Sequence, residues 1–526
     1  MNRLARRAWI GMASGGLAGM ALLATSAHAQ WAILPGIALG AAYAIAMRPG
    51  RDAYVDGLMA ASALGIPLWA LISVIALPLA SGQMPKWGAE QMRAQFPALV
   101  GWILYGGLLG LLVRAFNDVA LRVFGPETEP VTAPPGEKKR VLILGGGFAG
   151  MRTAACLEDQ LQEEQAVSIT IVSETNALLF TPMLAEVAGG SLEPSHISTP
   201  LRSGLHRTEF IRGQVREIDL ERRLVRVGEC GTAEPSEVRE LPYDHLVLAL
   251  GATSNYLGLT NVEKLSFNFK SLLDAIRIRN HVIEMFERAD RETEAPLRKR
   301  QLTFVVAGGG FAGVELAGAI NDFAHGILAD YPSLQVTDLR TVLVHSRDRI
   351  LPELSESLGR YAQRRMEARG VEFRLNTRLV DAQPGVVVLG DGNIPAETLV
   401  WTAGTAPNPL LKSLPVERDK RGAVLVDATL AVPGHAGLWA LGDCAAVTDS
   451  KTGKPCPPTA QFALRQAVTL AKNIRADLAG APRQKFHFDS LGSLCVVGHQ
   501  TACAELTVPF ARNRTMRFSG LLARLM

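Results

Sequence analysis

The chain has 526 residues, of which 48% are hydrophobic, and a formal net charge of +4 at pH 7. This length exceeds that of a single domain and suggests about three. The net charge is small and no long run of lysine and arginine occurs, which argues against nucleic acid as a partner. The six cysteines show no spacing typical of a disulfide framework, a close redox pair or a metal site, which indicates that the bulk of the chain is cytosolic.

Four apolar stretches without charged side chains come first, at residues 9–27, 31–47, 57–80 and 97–113. A membrane-spanning helix needs about 20 apolar residues, so we predict a transmembrane module of four helices over residues 1–124. Because no ionisable group lies within the stretches, we expect an anchor rather than an ion pump. The spacing of glycines in the first two stretches permits close helix packing. These glycines are Gly11, Gly15, Gly19, Gly36 and Gly40.

Positive charges lie before the first stretch, between the second and third, and after the fourth. The first intervening loop has no lysine or arginine, and the third has only Lys86 and Arg93. Since positive charge marks the cytoplasmic side, we predict a multi-pass protein of the inner (cytoplasmic) membrane with the rest of the chain in the cytoplasm. The start also resembles a cleavable signal peptide that ends at Ala29, and this alternative stays open.

Residues 125–139 contain four prolines and two glycines, and we predict an extended linker there. Two similar segments follow, "VLILGGGFAG" (141–150) and "FVVAGGGFAG" (304–313). In each, an apolar strand leads into G-x-G-x-x-G and then into helical spacing, which is the context of a dinucleotide-binding turn. The first glycine permits the turn, the second admits the pyrophosphate and the third lets helix and strand pack closely, so the phosphate meets the positive end of the helix. We therefore predict an α/β protein with two Rossmann-like domains.

The order of later motifs assigns the two turns. "GLWALGDCAAV" (437–447) resembles the second flavin motif of two-dinucleotide flavoproteins, in which the aspartate contacts the ribityl chain. "YDHLVLALGATSNY" (243–256) and "LVWTAG" (399–404) resemble the segments that leave the flavin and nicotinamide domains. The first turn is therefore expected to bind FAD and the second NAD(P)H. The predicted domains are a FAD-binding domain in two parts (140–297 and 401–482), an NAD(P)H-binding domain (298–400) and a C-terminal segment (483–526) facing the membrane.

With "LLFTPMLAEVAGG" (178–190), "GVELAGA" (313–319) and "PPTAQFALRQA" (457–467), the chain resembles the type II NADH:quinone oxidoreductases. The resemblance implies that FAD is held non-covalently, that NADH reduces it, and that the flavin reduces a membrane quinone without proton pumping. It maps the glutamate of the second turn to Glu315 and the quinone-side glutamine to Gln461. It departs from the family at Arg465, where the motif A-Q-x-A-x-Q has its second glutamine.

The coenzyme preference is a second departure. The nicotinamide strand "RTVLVHSRDR" (340–349) ends in His345 and Arg347, where NADH enzymes usually have a carboxylate for the ribose. We favour NADH from the resemblance, and NADPH stays open. In the FAD domain, Ser173 stands where many relatives have an acid, and Glu174 is the candidate for the ribose.

The candidate residues fall into three groups, and no metal ligand is expected. The catalytic candidates are Glu315, Gln461 and Arg465. The FAD candidates are Gly145, Gly147, Phe148, Ala149, Gly150, Glu174, Thr181, Gly251, Asp443 and Ala460. The NAD(P)H candidates are Gly308, Gly310, Gly313, His345, Arg347 and Gly404.

Three alternatives remain beside this interpretation: an NAD(P)H:flavin oxidoreductase with a non-quinone acceptor, a sulfide:quinone-type enzyme, and a non-catalytic redox sensor or assembly factor that binds FAD and NAD. The sulfide:quinone alternative needs two redox cysteines beside the flavin, and no two cysteines match that pattern. The expected partners are membrane lipid and quinone, and a homodimer is left open.

Overall fold

The computed structural model describes residues 3–23, 33–46, 54–85, 87–124, 138–161, 166–231, 238–498, 501–507, 515–520 and 523. They belong to two compact units, Met1–Val131 and Thr132–Met526, which are treated separately below. Ala29 and most of the predicted linker lie outside the described residues.

The described part of the first unit is helical. Its helices are α1 (Arg3–Leu23), α2 (Ile33–Ala46), α3 (Tyr54–Leu68), α4 (Leu77–Ala80), α5 (Ala89–Ala94) and α6 (Phe96–Phe124). A π-helical segment, Trp69–Ala76, joins α3 to α4. Two stretches, Gly57–Leu79 and Phe96–Ala120, are long and apolar enough to cross a membrane, whereas the apolar part of α2 is shorter. The expectation of four spanning helices is therefore not upheld, because α1 begins with several arginines and α2 has only 14 residues.

Glycines bring the helices of this unit into backbone contact. A methyl group at Gly11 would overlap the carbonyl oxygen of Gly40, and one at Gly15 would overlap that of Gly36, so α1 and α2 pack through the glycines that the sequence singled out. Gly106 meets the backbone of Ala61 in the same way and joins α6 to α3.

The second unit contains the remaining helices and the strands. Its helices are α7 (Phe148–Gln160), α8 (Leu184–Ala188), α9 (Thr260–Leu265), α10 (Leu272–Arg291), α11 (Ala295–Gln301), α12 (Phe311–Ile327), α13 (Glu356–Glu367) and α14 (Ala460–Leu478). Its strands are β1 (Lys139–Leu144), β2 (Val167–Ser173), β3 (Ala177–Leu179), β4 (Ser198–Pro200), β5 (Glu209–Arg212), β6 (Gln214–Asp219), β7 (Leu224–Gly228), β8 (Arg239–Pro242), β9 (His245–Leu248), β10 (Ala252–Ser254), β11 (Phe267–Asn268), β12 (Thr303–Ala307), β13 (Arg340–Val344), β14 (Val371–Arg374), β15 (Leu379–Gln383), β16 (Val386–Leu389), β17 (Gly392–Pro395), β18 (Thr398–Trp401), β19 (Thr405–Pro407), β20 (Val424–Leu425), β21 (Leu438–Ala440), β22 (Ala445–Ala446), β23 (Gly492–Val496), β24 (Ala502–Thr507) and β25 (Thr515–Gly520).

Two parallel five-stranded sheets form the centre of this unit. The first has the order β21-β9-β1-β2-β5 and the second the order β11-β18-β12-β13-β14. Their central strands are buried along most of their length, as expected where helices cover both faces. The prediction of an α/β protein with two Rossmann-like sheets is confirmed. Strand β11 belongs to the second sheet although it lies within residues 140–297.

Each sheet has its own hydrophobic core. The core of the first sheet includes β1, β9 and β21 together with helices α7 and α14. The core of the second includes β12, α10 and α12, and it extends to Cys495 and Cys503 of a C-terminal antiparallel sheet of order β23-β24-β25. The described strands β23 and β24 thus pack against helices α12 and α13, which accompany the second sheet.

Candidate functional site

The two glycine turns have the same geometry. The first glycine of each adopts a positive φ, +112° at Gly145 and +126° at Gly308, which an L side chain rarely adopts. A methyl group at Gly150 would overlap the carbonyl oxygen of Gly145, and one at Gly313 would overlap that of Gly308. Each turn therefore requires glycine at the first and third positions so that strand, turn and helix can pack together.

The middle glycine of each turn begins the following helix. Gly147 is the N-cap of α7 and Gly310 is the N-cap of α12, both in extended conformation. Among the described residues, none lies within 4 Å of a methyl group placed on Gly147, and at Gly310 only the carboxylate of Glu353 does, at 3.6 Å. Both helix starts therefore leave room for a pyrophosphate at their positive ends.

The FAD candidates of the first sheet gather at the carboxyl ends of its strands. Gly145 follows β1, Gly251 comes after β9, Asp443 comes after β21 and Glu174 follows β2. Since these strands are parallel and adjacent, the four residues lie along one edge. Ligands of open α/β sheets bind at this edge. The Asp443 carboxylate has no hydrogen bond or ion pair with any residue that the structure describes, and burial raises its pKa, while the nearby Lys270 opposes this.

Helix α14 closes over the first turn. A methyl group on Gly442 would lie 3.2 Å from the Cβ of Ala149 and 3.8 Å from that of Ala463, so the aspartate-bearing loop is held between α7 and α14. Ala460 begins α14 and is half-buried. The remaining FAD candidates lie beside the turn, where the Phe148 ring meets that of Phe180 edge-on at 6.0 Å, next to Thr181.

The nicotinamide candidates meet at the carboxyl edge of the second sheet. The hydroxyl of Thr402, which follows β18, donates to the carbonyl of Ala307 at 2.8 Å, and it lies beside Gly308 and Gly313. Gly404 follows two residues later, and its carbonyl accepts from the amide of Asn255 at 3.0 Å.

His345 lies directly beneath the second turn. The backbone amide of Gly309 donates to His345 Nδ1 at 3.1 Å, so the ring proton is on Nε2. Nε2 is buried and has no partner among the residues that the structure describes. Burial, with the nearby cation of Arg347, lowers the pKa of His345, which makes the ring a neutral donor. Arg347 itself is exposed, and its guanidinium makes no ion pair within the described residues.

Glu315 is tied to the C-terminal sheet. It lies in the first turns of α12 and is half-buried. Its carboxylate accepts a hydrogen bond from the backbone amide of Val496 in β23 at 3.2 Å. The thiol of Cys495 also interacts with this carboxylate. Arg369 pairs with Asp322, two turns further along the same helix, and also donates to the Val497 carbonyl at 3.4 Å, so it joins α12 to the end of β23.

Gln461 forms hydrogen bonds with residues 490–492, where β23 begins. Its Oε1 accepts from the Leu491 amide at 3.0 Å and from the Ser490 hydroxyl at 3.2 Å, while its Nε2 donates to the Gly492 carbonyl at 3.3 Å. Arg465, one helical turn later, is exposed and lies over the Phe488 ring at 5.3 Å. All three catalytic candidates therefore contact or adjoin residues 488–496.

Known proteins of similar sequence and fold identify the chain. Residues 139–467 match the family model of pyridine nucleotide-disulphide oxidoreductases. A type II NADH:quinone oxidoreductase of Mycobacterium tuberculosis is 31% identical over 417 residues, which are 76% of this chain and 85% of that protein. The chain belongs to the type II NADH:quinone oxidoreductase family.

Two further comparisons agree with this membership. A second type II NADH:quinone oxidoreductase of Mycobacterium tuberculosis is 32% identical over 390 residues, 70% of this chain and 79% of that one. NDH2 from Plasmodium falciparum, solved in complex with NADH, has the same fold with a TM-score of 0.65 at 18% identity, covering 73% of this chain and 92% of that one. The predictions of an NAD(P)H:quinone oxidoreductase enzyme and of FAD and NADH as cofactors are confirmed.

Sequence reasoning missed several residues of this type II oxidoreductase chain. The buried Gln466 accepts from the Gly442 amide at 2.8 Å and so holds the loop that carries Asp443. Its proximity in sequence to Gln461 was the one available signal. No motif in the sequence indicated Lys270, whose charge interacts with that of Asp443. Cys495 lies opposite Cys503 across β23 and β24, and both thiols are buried and free, so the structure adds a neighbouring pair that no spacing in the sequence indicated.

Proposed function

We propose that this protein oxidises NADH, transfers two electrons through FAD to a membrane quinone, and pumps no protons. The observation that carries the proposal is the pair of equivalent glycine turns at the carboxyl edges of two parallel sheets, in a chain of the type II family. The edge of the first sheet is proposed to hold FAD permanently, and the edge of the second is proposed to bind NADH and release NAD⁺ in each turnover.

The described residues fit FAD at the first edge. Gly147 leaves space at the start of α7, and a methyl group on Gly251 would also meet nothing within 4 Å. Asp443 offers an unpaired carboxylate, the partner that the ribityl hydroxyls need. Glu174, exposed after β2, is the proposed acceptor for the adenosine ribose. When bound, FAD supplies the hydride acceptor and the electron donor of the reaction.

The residues at the second edge fit NADH. The orphaned Nε2–H of His345 is a buried donor that a ribose hydroxyl can satisfy. Because this ring is neutral, it brings no positive charge toward a 2′-phosphate, which supports NADH over NADPH. Arg347 is the one residue of this strand end that favours NADPH, and its exposure leaves it a weaker, solvent-screened contact.

Glu315 and Gln461 are proposed to define the quinone side through β23. Both side chains hold the backbone of residues 490–496, and their attachment points, Gly492 and Val496, are about 13 Å apart along an extended strand. The strand is therefore a wall of the quinone site, positioned by one residue from each cofactor domain. Glu315, near the start of α12, is the proton-carrying candidate.

Membrane attachment is proposed to come from Gly57–Leu79 and Phe96–Ala120, with the second unit on the cytoplasmic side. The positive charges around the apolar stretches support that orientation. Gly57–Leu79 has no charged side chain, and the charged side chains of Phe96–Ala120 are Arg114 and Asp118, which form an ion pair with each other. This composition supports an anchor without proton pumping.

The decisive experiment uses the full chain purified in detergent under anaerobic conditions. We expect the flavin absorbance to be bleached within the first turnover with NADH and restored by a short-chain quinone. Bleaching without recovery would assign another acceptor and contradict the quinone part of the proposal. No bleaching with NADH or NADPH would favour the non-catalytic redox sensor.

Membrane attachment has its own test. A chain that begins at Thr132 is compared with the full chain by sedimentation of membranes. We expect the full chain in the pellet and the truncated chain, with its FAD, in the supernatant. Sedimentation of the truncated, flavin-loaded protein with membranes would assign the attachment to the second unit.

A further inference from the structure

Lys270 lies near the carboxyl edges of both parallel sheets. Lys270 follows β11, which runs parallel to β18, so it lies at the same carboxyl edge of the second sheet as Gly308 and His345. Its charge interacts with that of Asp443, which lies at the carboxyl edge of the first sheet. Lys270 thus follows a strand of the second sheet and interacts electrostatically with a residue at the edge of the first.

The backbone around Lys270 is held rigidly. The Asp274 carboxylate accepts from the amides of Lys270 at 3.0 Å and Ser271 at 2.8 Å, and it caps α10. It also accepts from the side-chain amide of Asn268 at 3.1 Å. Asn268 in turn accepts a hydrogen bond from the hydroxyl of Ser254 in β10. The segment is therefore fixed to the flavin domain before any ligand binds.

Further contacts connect the segment around Lys270 to the loop that carries Asp443. Ser254 pairs with Thr405 between the antiparallel strands β10 and β19. Strand β19 contacts the short helical turn Gly442–Cys444 that carries Asp443. A continuous path of hydrogen bonds and packing therefore sets the separation between the ammonium and the carboxylate.

The charges of Lys270 and Asp443 interact, but the two side chains form no ion pair in the part of the chain that the structure describes. Lys270 is half-buried, and its ammonium makes no hydrogen bond or ion pair with the residues that the structure describes. Burial lowers the pKa of Lys270, and Asp443 opposes this. A cation in such surroundings is unfavourable unless a polar partner completes them. A lysine with a solely structural role would instead extend into solvent or close onto the carboxylate.

We propose that Lys270 contacts the flavin and stabilises the negative charge of its reduced ring. The inference rests on the proposed binding of FAD at the first edge. Reduction by two electrons and one proton adds one negative charge to the flavin, and a fixed ammonium at contact distance favours that charge. Asp443 remains on the ribityl side, so the two residues would hold opposite parts of the same cofactor.

The test compares Lys270→Met and Lys270→Arg with the full wild-type chain, and Lys264→Met serves as the matched control because Lys264 is exposed on α9. Each flavin-loaded protein is equilibrated with a reference dye of known potential, without NADH or quinone. The ratio of reduced to oxidised flavin is read from the absorption spectrum at one fixed dye ratio, and the FAD content per chain is determined.

We expect K270M to lower the ratio of reduced to oxidised flavin by about 10-fold or more, whereas K270R stays within about threefold of wild type. K264M should match wild type. A folded K270M that binds FAD more weakly than K264M also supports contact with the cofactor. Equal ratios and equal FAD content in K270M and wild type would overturn the proposal.

If K270M does not fold, K270Q takes its place, since it keeps a polar chain without the charge. The outcome is independent of the proposed reaction, because neither substrate is present. A wild-type protein that NADH does not bleach would refute the proposed function, while an unchanged flavin equilibrium in the variant would refute only the role of Lys270.

Discussion

The carboxylate of Glu315 accepts a hydrogen bond from the backbone amide of Val496 at 3.2 Å, across 181 residues of chain. This bond fixes the first turns of α12 to β23. Gln461 fixes the first turn of α14 to the residues just before that strand, through the amide of Leu491. Strand β23 therefore positions two groups from different domains, and a change at either attachment should be felt at the other.

The replacement Glu315→Gln separates the charge from the hydrogen bond. Glutamine keeps an oxygen that can accept from Val496, so we expect the thermal midpoint of unfolding to change little. The kcat with quinone should fall by roughly 10- to 100-fold, because the proposed proton carrier is lost. Steady-state kinetics and thermal melting are the measurements, with the exposed Glu263→Gln as control. Unchanged turnover in the Glu315 variant would remove it from the catalytic candidates.

Alanine at the third glycine of each turn assigns the two cofactors. The new methyl group would overlap the carbonyl oxygen of Gly145 in Gly150→Ala and that of Gly308 in Gly313→Ala. We expect G150A to be purified with little FAD. We expect G313A to keep its FAD. The NADH concentration that bleaches half of this flavin should rise by about 100-fold or more, because the apparent affinity for NADH falls.

Flavin content and an anaerobic NADH titration measure this pair of variants, and circular dichroism tests whether both are folded. The two alanines serve as controls for each other because their local geometry is equivalent. A yellow G150A together with a colourless G313A would reverse the assignment of the turns.

The coenzyme preference should follow from His345 and Arg347. Wild type is expected to favour NADH, because the buried His345 is neutral and Arg347 is solvent-screened. Arg347→Ala should lower kcat/KM for NADPH by roughly 5- to 10-fold and leave the value for NADH within about twofold. Arg364→Ala, an exposed arginine on α13, is the control. A wild-type preference for NADPH above about 10-fold would contradict the assignment.

Glu158 at the end of α7 should make the protein sensitive to acid. Burial alone would raise its pKa, but hydrogen bonds from the backbone amides of His206, Arg207 and Thr208, at 2.6–3.0 Å, outweigh burial and lower it. Because the folded pKa lies below the unfolded value of about 4.3, the stabilisation is fully present above that pH. It is lost as the pH falls through the folded pKa.

Glu158→Gln should therefore cost about 1–3 kcal/mol of unfolding free energy at pH 7, and the difference from wild type should shrink below about pH 4. Urea unfolding at pH 7, 5 and 3 measures this difference, with Glu263→Gln as control. A difference that stays constant over this range would show that the charge of Glu158 contributes nothing.

The sequence by itself determined the local features of the site. The two turns were predictable because positive φ and close helix approach at Gly145 and Gly308 require glycine, whatever the rest of the fold does. Their strands and helices follow from short-range apolar patterns. The place of Asp443 after a strand was likewise readable, since the carboxyl end of a parallel strand is a ligand edge wherever it occurs.

The number of spanning helices was less predictable. Apolar composition indicated four stretches, but only two of the described helices have both the length and the apolarity to cross a membrane. Composition sets the cost of placing a segment in lipid, whereas helix ends and packing set its usable length. The glycines of α1 and α2 were visible as a spacing within each helix, whereas the contact of Gly15 with Gly36 was decided by the packing of α1 against α2.

Only the tertiary structure decided what the functional side chains contact. Nothing local links Glu315 to Val496, Gln461 to Leu491 or Cys495 to Cys503, because a separate C-terminal sheet makes these contacts. Lys270 became a candidate only when the two carboxyl edges were brought together. Local geometry is encoded in neighbouring residues, whereas these pairings arise from the packing of distant segments, which no spacing in the sequence records.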